Sequence, residues 1–240
     1  MHIHLTDVHV EYLVGLELTT KDAVLGIFGV RKHPARKVNA LRGVNLQIHA
    51  GERVGIVGLN GAGKSTLLRV AGGVYPPTQG TVDIAGRVSC LFDVAQGFDD
   101  SATGHENIVT RSLVLGATMK QIRERRDEIA AFCELGEFLD LPVRTYSAGM
   151  RLRLAFAIST AYDCELLLLD EVVAAGDEAF RKKAYTRIRE LIARSAILMF
   201  ASHSPESVKE LCERAIWVHD GLIKRDGPAA EVVDEYVASV

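Results

Sequence analysis

Gly58-Leu-Asn-Gly-Ala-Gly-Lys-Ser-Thr66 sets a glycine, four residues, a second glycine, then a lysine and a hydroxyl residue in a row. That spacing is the phosphate-loop pattern. Gly58, Gly61 and Gly63 let the backbone turn where other residues cannot, so several N–H groups can converge on one anion. Asn60 and Ala62 complete the loop. Lys64 carries a charge able to reach outer phosphates, Ser65 offers a hydroxyl to Mg²⁺, and Thr66 follows it. Upstream, Arg53 to Val57 reads as a short buried strand. Downstream, Thr66 to Ala71 reads as the opening of a helix whose N-terminal dipole adds to the anion site. Strand, loop and helix together imply a nucleoside triphosphate site.

Composition narrows the setting. The 240 residues can bury a sizeable core, and 48% hydrophobic with 25% charged residues is ordinary for a globular chain. A net charge of -3 gives no global electrostatic case for nucleic acid. Cys90, Cys133, Cys164 and Cys212 are widely spaced without a CxxC pair, which argues against a zinc or disulfide framework and fits a reducing cytosol. The N-terminus lacks a basic-then-apolar leader. No apolar run nears the roughly 20 residues that cross a bilayer. A membrane role therefore requires a partner to supply the spanning segments.

Along the chain, Ile3, Leu5, Val8 and Val10 mark a strand over residues 2 to 14. Residues 15 to 37 form an irregular extension. It holds an apolar group, Val24 to Phe28, followed by Arg31, Lys32, Arg36 and Lys37; this is a surface loop packed on its own domain or a contact for a membrane partner. Val44 to Ile48 reads as a strand, Gly72-Gly73 ends the loop helix, and Gly80 to Ile84 with Arg87 to Phe92 reads as a hairpin about Ala85-Gly86. Thr103 with Glu106, and Thr118 with Gln121, are capping boxes that start two helices. Arg123, Arg125 and Arg126 fall on the solvated side of the second. Ser147 reads as the N-cap of a further helix.

Glu165 to Leu169 is a continuous apolar run of strand length, as in a strand buried on both faces of a parallel sheet. Asp170 and Glu171 stand at its C-terminal end, where open α/β sheets place ligand chemistry. Asp170 is the candidate Mg²⁺ ligand, and Glu171 the group that orients or deprotonates an attacking water. Ala196 to Ser202 is a second buried strand, and His203 at its end is the candidate γ-phosphate contact. Glu178 to Arg194 reads as a charged helix. Ser204-Pro205 starts another, Asp220-Gly221 turns a hairpin, and Ala229 to Val237 is a last helix.

The order GLNGAGKST, helical insert, YSAGM, LLLLDE, AAGD, SH resembles the nucleotide-binding domain of ATP-binding cassette (ABC) proteins over nearly the whole chain. The fold expected from that resemblance is an α/β phosphate-loop NTPase spanning 1–240. It has a mixed-sheet core, a helical subdomain inserted at approximately 93–163, and no C-terminal carbohydrate-binding domain. Family membership implies ATP and Mg²⁺ as ligands, ATP hydrolysis, and a head-to-tail homodimer sandwiching two nucleotides. In that arrangement Ser147, Ala148 and Gly149 hold the signature motif that meets ATP on the other copy, and Asp177 lies in the loop crossing the interface. Tyr12 matches the end of the first strand, where the adenine-stacking aromatic stands. The usual Mg²⁺-contacting glutamine falls near Val94 by spacing, with Gln96 close by, and Ala148 replaces a glycine.

YSAGM, Thr103-Gly-His-Glu-Asn107 after Gly97-Phe98, and the long extension after the first strand resemble ATPase subunits of bacterial exporters of O-antigen, teichoic acid or capsular polysaccharide. The implied partners are two membrane-spanning permease subunits and a lipid-linked glycan, with the ATPase on the cytoplasmic face of the cell membrane and no nucleic acid. Drug exporters, nutrient importers and soluble cassette ATPases acting on ribosomes or DNA stay as alternatives. The signature motif disfavours a phosphate-loop kinase.

Overall fold

The computed structural model describes residues 1–14, 36–92, 94, 96–170 and 177–239. Two sheets organise them. The antiparallel sheet has the order β2-β1-β4, with β1 (His2–Val14) central between β2 (Arg36–His49) and β4 (Gln79–Ala85). The larger sheet contains β5 (Val88–Leu91), β6 (Leu166–Asp170), β7 (Ile197–Ala201), β3 (Arg53–Val57), β8 (Arg214–His219) and β9 (Leu222–Pro228) in that order. Its first five strands are mutually parallel, and β9 closes the edge antiparallel to β8.

The apolar runs follow from this position. Leu166 and Leu168 of β6 enter the core shared with the antiparallel sheet and with helix α1 (Lys64–Ala71). Leu167 and Leu169 enter the other core, among the remaining helices. Strand β7 divides likewise, with Ile197, Met199 and Ala201 on one face and Leu198 and Phe200 on the other. A strand buried on both faces has no solvent side, so its sequence shows no alternation.

Strand β1 explains a break in its own pattern. Ile3, Leu5, Val8 and Val10 are all buried, yet 5 to 8 is an odd step that would flip the strand over. The register shifts between Leu5 and Val8 on the β2 side, and Asp7 takes a φ of 49° with its N–H donating to the Asn45 side-chain Oδ1, 2.9 Å. This bulge restores the inward face. The expected hairpin about Ala85-Gly86 is not formed. Strand β4 pairs with β1, whereas β5 lies in the other sheet, parallel to β6. The glycine turn is a step between layers, with the Arg87 N–H held by the Glu165 carboxylate at 2.8 Å.

Between β5 and β6 come α2 (Gly104–Val114), α3 (Met119–Cys133), two 3₁₀ turns and α4 (Ala148–Ser159). Both expected capping boxes form, at Thr103/Glu106 and Thr118/Gln121. The Thr103–Asn107 motif has a packing reason. Buried Asn107 donates to the carbonyls of Asp99 and Thr103 at 2.9 and 3.0 Å and accepts from the Asp99 N–H, locking the preceding loop. Gly104 lies against the Tyr146 hydroxyl, which donates to the Phe138 carbonyl at 2.6 Å, so the residue before Ser147 packs on the start of α2. Arg123, Arg125 and Arg126 are exposed, as expected.

Helix α5 (Glu178–Arg194) joins this layer through three rings, Phe132, Phe156 and Phe180, with centroids 5.8–6.0 Å apart. Helices α6 (Pro205–Leu211) and α7 (Ala229–Ala238) complete the fold, and Ser204 caps α6 through the Ser207 N–H. Among the described residues no helix is long and apolar enough to cross a membrane. All four cysteines are free; burial pushes the thiols of Cys90 and Cys212 up to about 12.

Two expectations follow. Phe156→Ala removes the ring shared by α3, α4 and α5, and costs about 3–5 kcal/mol in urea unfolding. The second concerns Glu52. Burial alone would raise its carboxyl, but the His49 N–H, the Arg214 side chain and the Arg214 charge outweigh this and hold it below the ordinary value. A lowered folded pKa stabilises above the unfolded value and is lost as pH falls through the folded one. Wild type therefore unfolds at higher denaturant than Glu52→Gln at pH 7, and the gap closes as pH drops below about 4.

Candidate functional site

Parallel strands bring their C-terminal ends to one edge, and there the chain forms a cleft of about 580 Å³. The loop after β3 supplies Asn60, Gly61, Gly63, Lys64, Ser65 and Thr66; β6 ends on Asp170; His203 follows β7; Asp220 and Gly221 turn from β8 into β9. Tyr12 of β1 and Val38, Asn39, Ala40 and Arg42 of β2 form the opposite wall. Its size lies within the range of small-molecule sites.

The loop is shaped by what its glycines leave out. Gly58 has a φ of 148°, and a Cβ there would overlap the Val218 carbonyl oxygen. Gly63 has a φ of 111°, and its Cβ would lie 2.6 Å from the Ala40 carbonyl oxygen. Gly63 is also the N-cap of α1, with no side-chain cap and no acidic residue in the first turn. The helix N-terminus thus turns its N–H groups and dipole to the cleft without an internal anion in competition. Lys64 is buried, and its ammonium donates to the carbonyls of Gly58 and Leu59 at 2.7 and 3.0 Å, which holds it over the loop.

Ser65, Thr66 and Asp170 bring hydroxyl and carboxylate oxygens into the same cleft, hard donors of the kind Mg²⁺ takes. The Tyr12 hydroxyl donates to Thr66 Oγ1 at 3.4 Å, and its ring stands edge-on to Tyr75 at 6.2 Å. His203 is exposed at the rim, in the short turn where the Ser202 hydroxyl accepts from the Ser204 N–H at 3.0 Å.

Other expected residues lie elsewhere. Ser147 caps α4 by accepting from the Met150 N–H at 3.2 Å, and Ser147, Ala148 and Gly149 are exposed and outside the cleft. Asp177 caps α5 through the Phe180 N–H at 2.9 Å and pairs with Arg153. Glu171 falls outside the described residues, as do most of residues 15 to 37. Lys37 is described and pairs with Glu11 at 3.0 Å. Gln96 is exposed and does not line the cleft, whereas buried Val94 accepts from Arg111 through its carbonyl at 2.7 Å.

The β2 wall and the Asp220-Gly221 turn were not anticipated as part of the site. Arg42 donates from its side chain to the Asp220 carbonyl at 2.7 Å and from its backbone to the Gly221 carbonyl at 2.9 Å; the Gly221 N–H donates to the Ala62 carbonyl at 2.8 Å. The signal in the sequence was a hairpin turn, and nothing local reveals that this turn buttresses the loop.

The sequence matches the ABC transporter family over residues 41–174. The chain belongs to this family. It is 45% identical over 84% of its length to an O-antigen export system ATP-binding protein of Myxococcus xanthus, of which it covers 46%. It is 40% identical over 95% of its length to a teichoic acids export ATP-binding protein of Listeria innocua, of which it covers 68%. With an O-antigen export system ATP-binding protein of Yersinia enterocolitica it shares 45% identity, over 78% of each chain. The chain thus spans less than half of the Myxococcus relative. Its fold, an α/β phosphate-loop NTPase, is that of a dimeric ATP-binding cassette solved in a post-hydrolysis state with ADP and Pi. The TM-score is 0.69 and the identity 23%, over 95% of this chain and 98% of that one.

In this ABC family member the loop glycines are steric requirements. Gly63→Ala is expected to lose more than about 1 kcal/mol of stability to the positive φ and the Ala40 contact, and to abolish binding of a fluorescent ATP analogue.

Proposed function

We propose that this chain is the ATP-hydrolysing subunit of an exporter of lipid-linked polysaccharide, of the O-antigen, teichoic acid or capsule type. The observation that carries the ATP site is the phosphate loop, with Lys64, Ser65, Asp170 and His203 gathered in one cleft at the parallel edge. The relatives named for O-antigen and teichoic acid export, at 40–45% identity, support the exporter reading.

The reaction is ATP with water to ADP and phosphate. In this reading the amides of residues 60 to 63 and Lys64 hold the β- and γ-phosphates, and Tyr12 packs on the base. Ser65 and Asp170 would hold Mg²⁺, which would supply positive charge against the phosphates. His203 contacts the γ-phosphate from the rim, and Glu171 takes the proton of the attacking water. Ser147 and Gly149, exposed at the start of α4, serve the nucleotide of a second copy, with Asp177 at that interface. The exposure of the signature residues outside the cleft supports a head-to-tail homodimer.

The helices within approximately 93–163 form an inserted subdomain in this reading. Leu113, Val114, Leu115 and Met119 are exposed together at the α2–α3 junction, with Val114 83% accessible, and suit a contact to two membrane-spanning permease subunits at the cytoplasmic face.

Two experiments test the proposal. Glu171→Gln is expected to bind ATP like wild type and to hydrolyse it about 10²–10⁴-fold more slowly, and normal turnover would refute the base assignment. Purification from membranes is expected to bring a polytopic partner, lost when residues 22 to 30 are deleted. Recovery only from the soluble fraction, with ribosomes or DNA, overturns the transport reading and leaves the ATP site standing.

A further inference from the structure

His2 and His4 lie two residues apart on β1, the middle strand of the antiparallel sheet, so both leave the same face. His49 of β2 is opposite His2, and Asp83 of β4 is opposite His4. Ile3, Leu5 and Ile48 take the other face and are buried in the core. The outward face therefore collects three of the eight histidines of the chain and a carboxylate.

The cluster is tight. The His2 and His4 rings stack with centroids 4.3 Å apart, and His49 stands edge-on to His4 at 5.1 Å. Asp83 Oδ2 lies 2.9 Å from His2 Nε2. One ligand atom from each of His2, His4 and Asp83 falls within 4.8 Å of the other two. A separate observation points inward: His4 Nε2 is buried and has no hydrogen-bond partner. A buried polar atom left unpaired is costly, and a ligand that takes its lone pair removes the cost.

We propose that His2, His4 and Asp83 form a site for a divalent transition metal such as Zn²⁺, Ni²⁺ or Co²⁺, with water completing the coordination. Imidazole nitrogens with one carboxylate suit these ions, whereas Mg²⁺ takes oxygen donors. Tetrahedral zinc places its ligand atoms about 3.3 Å apart, given metal–nitrogen bonds of about 2.0–2.1 Å. Small side-chain rotations close that gap, since Asp83 is exposed and His2 only partly buried. The site is distinct from the nucleotide cleft. Tyr12 lies ten residues along the same strand, about 30 Å away at strand rise. A bound ion would tie β1 to β4.

The test uses the untagged 240-residue chain in excess Mg²⁺. It is titrated with Zn²⁺ by calorimetry and with Co²⁺ by visible d–d absorption. The expected result is one Zn²⁺ per chain and a Co²⁺ spectrum of four-coordinate intensity, each weakened at least about tenfold in His4→Gln and in Asp83→Asn. Because His4 is partly packed, His2→Gln serves as the variant that leaves the core untouched. Zn²⁺ should raise the melting temperature of wild type and not of His2→Gln. Absence of binding at micromolar Zn²⁺, or equal binding by wild type and the variants, overturns the site.

Discussion

Three stretches of backbone meet around the phosphate loop with no room for a side chain between them. Gly58 lies against the Val218 carbonyl, Gly63 against the Ala40 carbonyl, and a Cβ on Gly221 would come within 2.8 Å of that same Ala40 oxygen. Arg42 and the Gly221 N–H bond across the junction. The loop is therefore held by β2 and by the β8–β9 turn, not only by the strand and helix on either side of it. That contact requires the antiparallel sheet to lie over the parallel one, with α1 between, and the core of Ile3, Leu5, Leu46, Ile48, Leu67 and Leu68 fills the interval. The anion site is in this sense a product of the whole half-molecule. Preorganised N–H groups cost nothing to align when a phosphate arrives, because packing has already aligned them.

The parallel sheet supplies the rest of the chemistry by geometry alone. Asp170 pairs in register with Ala201, and Ile56 pairs with that same Ala201 from the other side. Strands β6, β7 and β3 thus end at one level, and the acid, the histidine and the loop emerge together. Each strand is buried on both faces, so its register cannot slip without moving polar residues into the core. The positions of Asp170 and His203 follow from Leu166–Leu169 and Ile197–Phe200 being where they must be.

Strands β6 and β7 were legible because a continuous apolar run of strand length fits a doubly buried parallel strand and little else, and the acids that end β6 marked its functional end. The capping boxes at Thr103 and Thr118 were legible because a cap is a local hydrogen-bond pattern. The layer change at Ala85-Gly86 was not, because two short strands about a glycine read the same whether they pair with each other or with partners far away in the chain. In the cleft, Lys64, Ser65, Asp170 and His203 carried signatures, whereas Asn39, Ala40 and Arg42 carried none. Their place depends on β2 running down to Arg36, well beyond the alternating Val44–Ile48 segment that marked it. Gln96, near the position that spacing gives for the glutamine, is exposed and outside the cleft, and spacing alone does not assign it.

A second set of constraints fixes the exposed Ser147–Gly149 stretch to the helical layer. Phe132, Phe156 and Phe180 form one apolar centre, and cations lie on its outer faces: Arg153 at 4.9 Å from Phe180, Lys183 and Arg187 at 4.6 and 4.8 Å from Phe132. Each cation is then tied to an acid, Lys183 to Glu134 at 2.6 Å and Arg187 to Glu128 at 2.7 Å. Arg153 reaches both Glu134 and Asp177. Isolated surface pairs contribute little, but Arg153 and Lys183 share Glu134, and Arg153 also reaches Asp177, so these pairs form one network. The Phe180 N–H, with the Arg153 charge, holds the Asp177 carboxyl below its ordinary value and keeps it an acceptor. Arg153 stands on α4, less than two turns from Ser147. Asp177, at the start of α5, is consequently tied to the helix that Ser147 caps. A displacement of α4 is thereby coupled to Asp177 and the start of α5 by a direct ion pair.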